Sequence, residues 1–309
     1  MERKLVIIGN GFDIDHGLPT KFNPDFKNIS EKYESDNFWD LYQSREGDIW
    51  SDFEKLLGNP DFNSLEETFI CYGPDYLSDR ESDRNGIIYQ VDQSGKLQET
   101  LYEFANKAEV ELNMKSPKLK FKKMFTKEDL FISFNYTHTL EKIYKVDYKN
   151  ILHVHGEVGK SNLLLGYVKG EFSPEKYVID VRKKGIGPFM EIDIKEYIDD
   201  IDDYYVRTAY LNLYEKSKEF YKEVKVFLMK SFLNKYKAQI DKIIVYGHSC
   251  AIDFDYFKYL NKRYSNILWE FYVMDSQADY KKINNTQKDN VKNLVKKLKI
   301  ENHEIIILK

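Results

Sequence analysis

Lys4-Leu5-Val6-Ile7-Ile8-Gly9-Asn10-Gly11-Phe12-Asp13 opens the chain with a short apolar run that stops on two closely spaced glycines. A Val/Ile-rich run ending at glycine reads as a buried strand passing into a tight turn. Two glycines straight after a first strand let the backbone turn sharply and approach a pyrophosphate, while the N-terminus of a following helix aims its N–H groups at the charge. A third glycine would complete the dehydrogenase fingerprint, but Ile14 stands in its place, which argues against hydride transfer. A plain structural turn is the alternative reading of the same glycines.

Working outward, similar runs recur at Leu130–Phe134, Ile151–Val154, Leu163–Leu165, Lys242–Tyr246, Leu268–Met274 and Glu304–Leu308. Between several of them lie helical patterns, at Thr139–Lys145, Asp253–Tyr264 and Asp289–Leu298; the last places Val291, Leu294, Val295 and Leu298 on one face. Strands alternating with helices predict an α/β fold: a Rossmann-like, mostly parallel sheet with helices on both faces. Residues 1–309 are expected to form a single domain carrying helical insertions near 23–113 and 185–237. Within the first insertion, the polar stretch Asp79–Gly95 reads as a loop or hairpin. The second begins with Gly and Pro and then reads as one long amphipathic helix. Aromatic residues are 15% of the chain, and core packing between these helices accounts for them better than base stacking.

Composition bounds the function. Forty-seven basic against fifty-one acidic residues leave a net charge of −4, so the electrostatic attraction behind nonspecific nucleic-acid binding is missing. No apolar run approaches the ~18 residues that span a bilayer, and Leu5–Ile8 is too short for a secretory core. Cys71 and Cys250 are far apart and in no C-x-x-C pair, which fits a reducing cytoplasm. Gly159-Lys160-Ser161 has a P-loop ending, but the first glycine of that motif would fall on Val154.

Three further clusters sit where strands end. Ser133-Phe134-Asn135-Tyr136-Thr137 places an amide at a parallel-strand carboxyl end, where open α/β sheets bind ligands; Asn135 as a helix cap is the alternative. His153-Val154-His155-Gly156 is expected to point both imidazoles to one face, suiting two metal ligands or one catalytic and one structural histidine. His155, next to Gly156 where the chain leaves the strand, is the functional candidate and His153 the structural one. A metal would need a third ligand from His16, His138, His248, His303 or the many carboxylates, and no metal is expected. Gly247-His248-Ser249-Cys250-Ala251-Ile252-Asp253 supports two readings. As a nucleotide loop, Ser249 donates to phosphate or ribose, while Asp253 accepts from ribose hydroxyls or caps the helix. As a nucleophile elbow with Ala251 in the last glycine position, Ser249 would act with Asp275 and His303 as a serine hydrolase.

The ordered set I-I-G-N-G-F-D, H-G-L-P-T, F-N-Y-T-H-T-L-E, H-V-H-G and V-Y-G-H-S with a following Asp resembles the AbiH family of bacterial abortive-infection proteins over nearly the whole chain. More remotely it resembles the sirtuin-like NAD-binding fold. There the Asn and His that flank the nicotinamide ribose correspond to Asn135 and His155. Asp13 stands where sirtuins carry Ser, Thr20-Lys21-Phe22 replaces an Asp-Phe-Arg, and Thr137 replaces an Asp. Four zinc-binding cysteines are absent, which points away from protein deacylation and toward NAD-cleaving defence proteins. The resemblance implies a cytoplasmic anti-phage effector that binds NAD, hydrolysing it to nicotinamide and ADP-ribose. Asn135 and His155 are then its catalytic residues, and Gly9, Asn10, Gly11, Phe12, Asp13, Gly156, Gly247, Ser249 and Asp253 line the cofactor. A nucleotide sensor without turnover, a serine hydrolase at Ser249 and a metal-dependent phosphohydrolase at His153 and His155 are the alternatives. A phage-derived trigger, a partner protein and homo-oligomerisation are compatible with it.

Overall fold

The computed structural model describes residues 3–33, 38–42, 53–62, 65, 82–93, 96–160, 162–168, 176–179, 190–236, 240–274 and 287–308. Its strands are β1 (Arg3–Ile8), β2 (Leu130–Ser133), β3 (Ile151–His153), β4 (Lys176–Ile179), β5 (Met190–Asp193), β6 (Ile240–Tyr246), β7 (Leu268–Met274) and β8 (His303–Leu308). Six of them form one parallel sheet in the order β3-β2-β1-β6-β7-β8. The chain winds outward from β1 in one direction, then returns beside β1 as β6 and winds the other way. The crevice between β1 and β6 is therefore the topological switch point, where sheets of this class hold ligands. The α/β, Rossmann-like expectation is met.

The central strands β1, β2 and β6 are buried on both faces, and their residues divide by parity. Leu5, Ile7, Leu130, Ile132, Ile243 and Val245 pack into one layer with Met229, Phe232 and Leu233 of helix Val226–Lys235, Tyr256, Phe257 and Leu260 of helix Phe254–Arg263, and Val291 and Leu294 of helix Gln287–Leu298. Val6, Ile8, Phe131, Ile244 and Tyr246 face the other way, against Phe12, Phe121 and Leu140. Among the described residues no helix is long and apolar enough to cross a membrane.

The chain divides into two compact units. One holds the sheet and comprises Met1–Lys21, Tyr102–Leu164 and Val224–Lys309; the other comprises Phe22–Leu101 and Leu165–Glu223. The segments of this second unit, Phe22–Leu101 and Leu165–Glu223, stand beside the expected insertions 23–113 and 185–237. Residues 102–112 lie with the sheet unit, and 226–235 do so because Met229, Phe232 and Leu233 are part of the sheet's own core.

Within the second unit, aromatic side chains pack on one another, as in Phe26 on Phe53 and Trp39 on Phe53, with ring centroids 5.0 and 5.4 Å apart. The expected loop at Asp79–Gly95 is instead, over Ser82–Gln93, a helix, whose Ile88 and Val91 are three residues apart and turned inward; residues 79–81 and 94–95 lie outside the described residues. The long helix expected over 185–237 is three helices, Ile194–Asp199, Tyr204–Glu219 and Val226–Lys235. Aspartates make two of the starts: Asp193 accepts from the N–H of Lys195, and Asp203 from those of Tyr205 and Val206. Leu163–Leu165, expected as a strand, joins no ladder; the Leu164 N–H donates to the His155 carbonyl, and Leu163 and Leu165 are simply buried.

Candidate functional site

Register brings the sequence clusters together. Tyr246, Ile8, Ser133 and His153 form one row across β6, β1, β2 and β3. Two residues beyond that row, at the carboxyl edge, come His248, Asn10, Asn135 and His155. Four strand-end motifs far apart in sequence therefore meet at one edge because their strands stop in step.

At the switch point the two glycine loops close on each other. A Cβ on Gly11 would lie 2.6 Å from the Gly247 Cα, and one on Gly247, whose φ is +66°, would lie 2.5 Å from the Phe12 nitrogen. The Gly11 N–H donates to the Gly247 carbonyl at 2.8 Å, the Gly9 N–H to the Tyr246 carbonyl at 3.0 Å and the Phe12 N–H to the Gly9 carbonyl at 2.9 Å. These donors were expected to face a pyrophosphate. They are spent inside the fold instead, so the glycines are needed for loop-to-loop contact. Phe12, expected to line the cofactor, is wholly buried against Phe121, ring centroids 4.6 Å apart. The side-chain amide of Asn10 donates to the Thr20 carbonyl at 2.5 Å.

Asp13 lies one helical turn further, in the short helix Asn10–Asp15, and is 1% exposed. Burial drives its pKa up to about 6, against opposing hydrogen bonds from Thr137 and Thr139 and the nearby Asn135 amide. The two hydroxyls donate to opposite oxygens of the carboxylate, at 2.6 and 2.7 Å. Thr137 lies in the turn after β2 and Thr139 opens the helix Thr139–Tyr144 that follows it, so this contact ties the β1 loop to the segment after β2. In the same turn, both Asn135 side-chain polar atoms are buried and neither makes a hydrogen bond of ordinary geometry, although the amide lies close enough to Asp13 to lower its pKa. Its backbone is fixed through the Ser133 hydroxyl, and the amide caps no helix. An unpaired buried polar group costs about 1–3 kcal/mol, so this amide is carried at the expense of stability.

His155, Asp253 and His248 form a second buried group. His155 Nε2 lies 3.2 Å from one Asp253 carboxylate oxygen and His248 Nε2 lies 3.6 Å from the other. The Cys250 N–H donates to His248 Nδ1, which leaves the proton of a neutral His248 on Nε2, facing Asp253. Phe134 meets both rings edge-on, at 5.0 and 4.5 Å. Asp253 occupies the position before helix Phe254–Arg263 but makes no capping bond; its left-handed φ of 64° turns the carboxylate to the histidines instead. Ribose or cap acceptor was the expectation; the partners are imidazoles. His248 is the member of this group that the sequence analysis did not assign to the site, although its position after Gly247 marks it.

Ser249 is exposed, and its hydroxyl accepts from the Ala251 N–H at 3.4 Å. His303 begins β8, at the amino edge of the parallel sheet, whereas Ser249 follows the carboxyl end of β6. The two cannot act as nucleophile and base, and Asp275 lies outside the described residues, so the serine-hydrolase alternative fails on His303. Gly156 follows His155 with a φ of +86°.

The histidine pair does not share a face. β3 ends at His153, and the turn after it carries His155 to Asp253 while His153 joins a separate cluster. There His153 Nδ1 contacts the Asn135 carbonyl at 3.1 Å and its Nε2 a Glu141 oxygen at 2.9 Å. His138 lies beside it between Glu109 and Glu157, each at 2.9 Å. The Glu109 carboxylate raises the His138 pKa, burial opposing. Burial alone would raise Glu109 itself, but hydrogen bonds from His138 and Lys142 outweigh it and hold the pKa down to about 2.

A profile of the family described as Bacteriophage abortive infection AbiH matches residues 5–273, which takes in every strand-end motif of this edge. No curated protein and no solved structure matches the chain.

Proposed function

Because the chain belongs to the bacteriophage abortive-infection AbiH family, we propose that it acts in phage defence through the pocket at the switch point, binding NAD and hydrolysing it to nicotinamide and ADP-ribose. One observation carries the reading: Asn135 keeps a buried amide with no hydrogen bond of ordinary geometry, beside an Asp13 whose pKa is raised to about 6, where sheets of this order bind nucleotides. The sirtuin-like order of the motifs supports the choice of dinucleotide.

Cleaving the nicotinamide–ribose bond develops positive charge at the anomeric carbon. Asn135 holds the ribose or the attacking water, and ionised Asp13 stabilises the cation from within a low-dielectric enclosure. The Asp253 carboxylate faces His155 Nε2 and orients the ring, and His155 is the base that takes a proton from water. Water adds to the ribose, nicotinamide leaves with the bonding pair, and one proton is released. Gly9, Gly11 and Gly247 seat these groups, and binding includes a local opening because the side chains are enclosed. Phosphates are held by groups other than the Gly9, Gly11 and Phe12 amides. A phage-derived trigger and self-association belong to the same proposal.

Incubating purified protein with NAD and following nicotinamide by chromatography, with and without lysate from phage-infected cells, tests it. Release is expected from the wild type and lost in His155→Ala and Asn135→Ala. No release under either condition, or equal release by the variants, rules out hydrolysis here. Calorimetric binding without product would leave a nucleotide sensor.

A further inference from the structure

We infer that His138, His153, Glu141 and Glu157 form a site for one divalent transition-metal cation, zinc by ligand type, apart from the Asn135 pocket and independent of its function. Each imidazole is flanked by acceptors on both nitrogens: His138 by Glu109 and Glu157, His153 by the Asn135 carbonyl and Glu141. A neutral imidazole has one donor and one acceptor nitrogen. With each Nδ1 proton donated outward, each Nε2 lone pair faces a carboxylate lone pair. Either an additional proton on each ring or a shared cation must lie between.

Three features favour the cation. The pattern around each ring is that of a metal-bound histidine, with Nδ1 held by a carboxylate in one case and a backbone carbonyl in the other. Both Nε2 atoms converge on one Glu157 oxygen, at 2.9 and 4.0 Å, and the ligand atoms of His138, Glu141 and Glu157 lie within 4.8 Å of one another. Tetrahedral zinc at about 2.0–2.1 Å spaces its ligands by roughly 3.4 Å, so small side-chain shifts close the set. Finally, the second oxygen of Glu141 is buried with no hydrogen-bonding partner. Two imidazolium protons would supply the same charge as one dication, so charge does not decide and a metal titration does.

Nitrogen and carboxylate ligands suit zinc and its first-row neighbours better than magnesium or calcium. The ion would cross-link the segment after β2, which carries His138 and Glu141, to the end of β3 at His153 and the turn at Glu157.

The full chain, stripped with chelator and dialysed, is titrated with zinc chloride by calorimetry and then with cobalt chloride by visible absorption. One equivalent of zinc, and the intense bands of four-coordinate cobalt, are expected from the wild type. His153→Gln and Glu157→Gln lose binding, while Glu109→Gln, outside the coordination sphere, weakens it by about 10–100-fold. Circular dichroism checks that each variant is folded; should the ligand variants unfold, the wild-type stoichiometry, its cobalt spectrum and Glu109→Gln carry the test. Well under one equivalent in the wild type, cobalt bands of a six-coordinate ion, or binding unchanged in folded variants would overturn the site. NAD binding is measured separately on the same preparations, so loss of one function leaves the other readable.

Discussion

Asp13 makes the clearest statement about chemistry at the level of single residues. Its folded pKa of about 6 lies above the ordinary 3.8, so the native state binds the proton more tightly than the unfolded chain. Stability from this group is therefore full below pH 3.8 and lost as pH rises through about 6, by on the order of 3 kcal/mol. Asp13→Asn removes the ionisation, and Thr137 and Thr139, whose hydroxyls lie 2.9 Å apart, can pair where the new amide no longer accepts. Denaturant unfolding of both proteins from pH 4 to pH 8 is expected to show the variant gaining on the wild type as pH rises; a constant difference would contradict the raised carboxyl. Asp253→Asn is a second case. Asparagine tolerates the left-handed backbone, but its amide nitrogen would face an imidazole N–H. The fold is expected to survive and nicotinamide release to fall; unchanged release would mean that Asp253 does not set the state of His155.

Among elements, the glycine loops show what sequence could and could not disclose. Strand β1 and its turn were legible from Leu5–Ile8 and Gly9, because a buried parallel strand and a glycine stop are local signals. The reason for the glycines was not legible, since the backbone that excludes a Cβ at residue 11 belongs to residue 247. With a Cβ 2.6 Å from a backbone atom, Gly11→Ala is expected to cost several times the ordinary penalty of about 1 kcal/mol, with Gly247→Ala costing still more through its positive φ. Thermal melts in the absence of nucleotide check this, and a near-neutral Gly11→Ala would reinstate the ligand explanation. The three helices between residues 194 and 235 merged into one in the sequence reading; Asp193 and Asp203, which cap two of them, mark the breaks. Asp203→Ala is expected to cost about 1 kcal/mol through the lost cap and its ion pair with Arg84, and no change in the denaturation midpoint would contradict that role.

At the scale of the whole molecule, a mostly parallel sheet with helices on both faces followed from alternating apolar runs and helices, whereas the strand order, its switch point and the division into two units did not, since these are set by pairing and packing between residues far apart in sequence. Asn135 and His155 could be singled out because each lies two residues beyond a strand's last registered residue. The pairing of His155 with Asp253, and of His153 with Glu141, depended on where β3 ended by one residue. The central claim is that Asn135 carries a buried amide for a ligand. Thermal unfolding of wild type and Asn135→Ala, with and without NAD, tests it most directly, because a buried amide that makes no hydrogen bond of ordinary geometry, and only lies near the Asp13 carboxylate, should contribute little to the ligand-free fold. Without NAD the variant is expected to melt at or above the wild-type midpoint; with NAD at 100 times its dissociation constant the wild type gains about 2.7 kcal/mol and the variant nothing. A wild type that NAD does not stabilise, or a variant that already melts lower without it, would contradict the account.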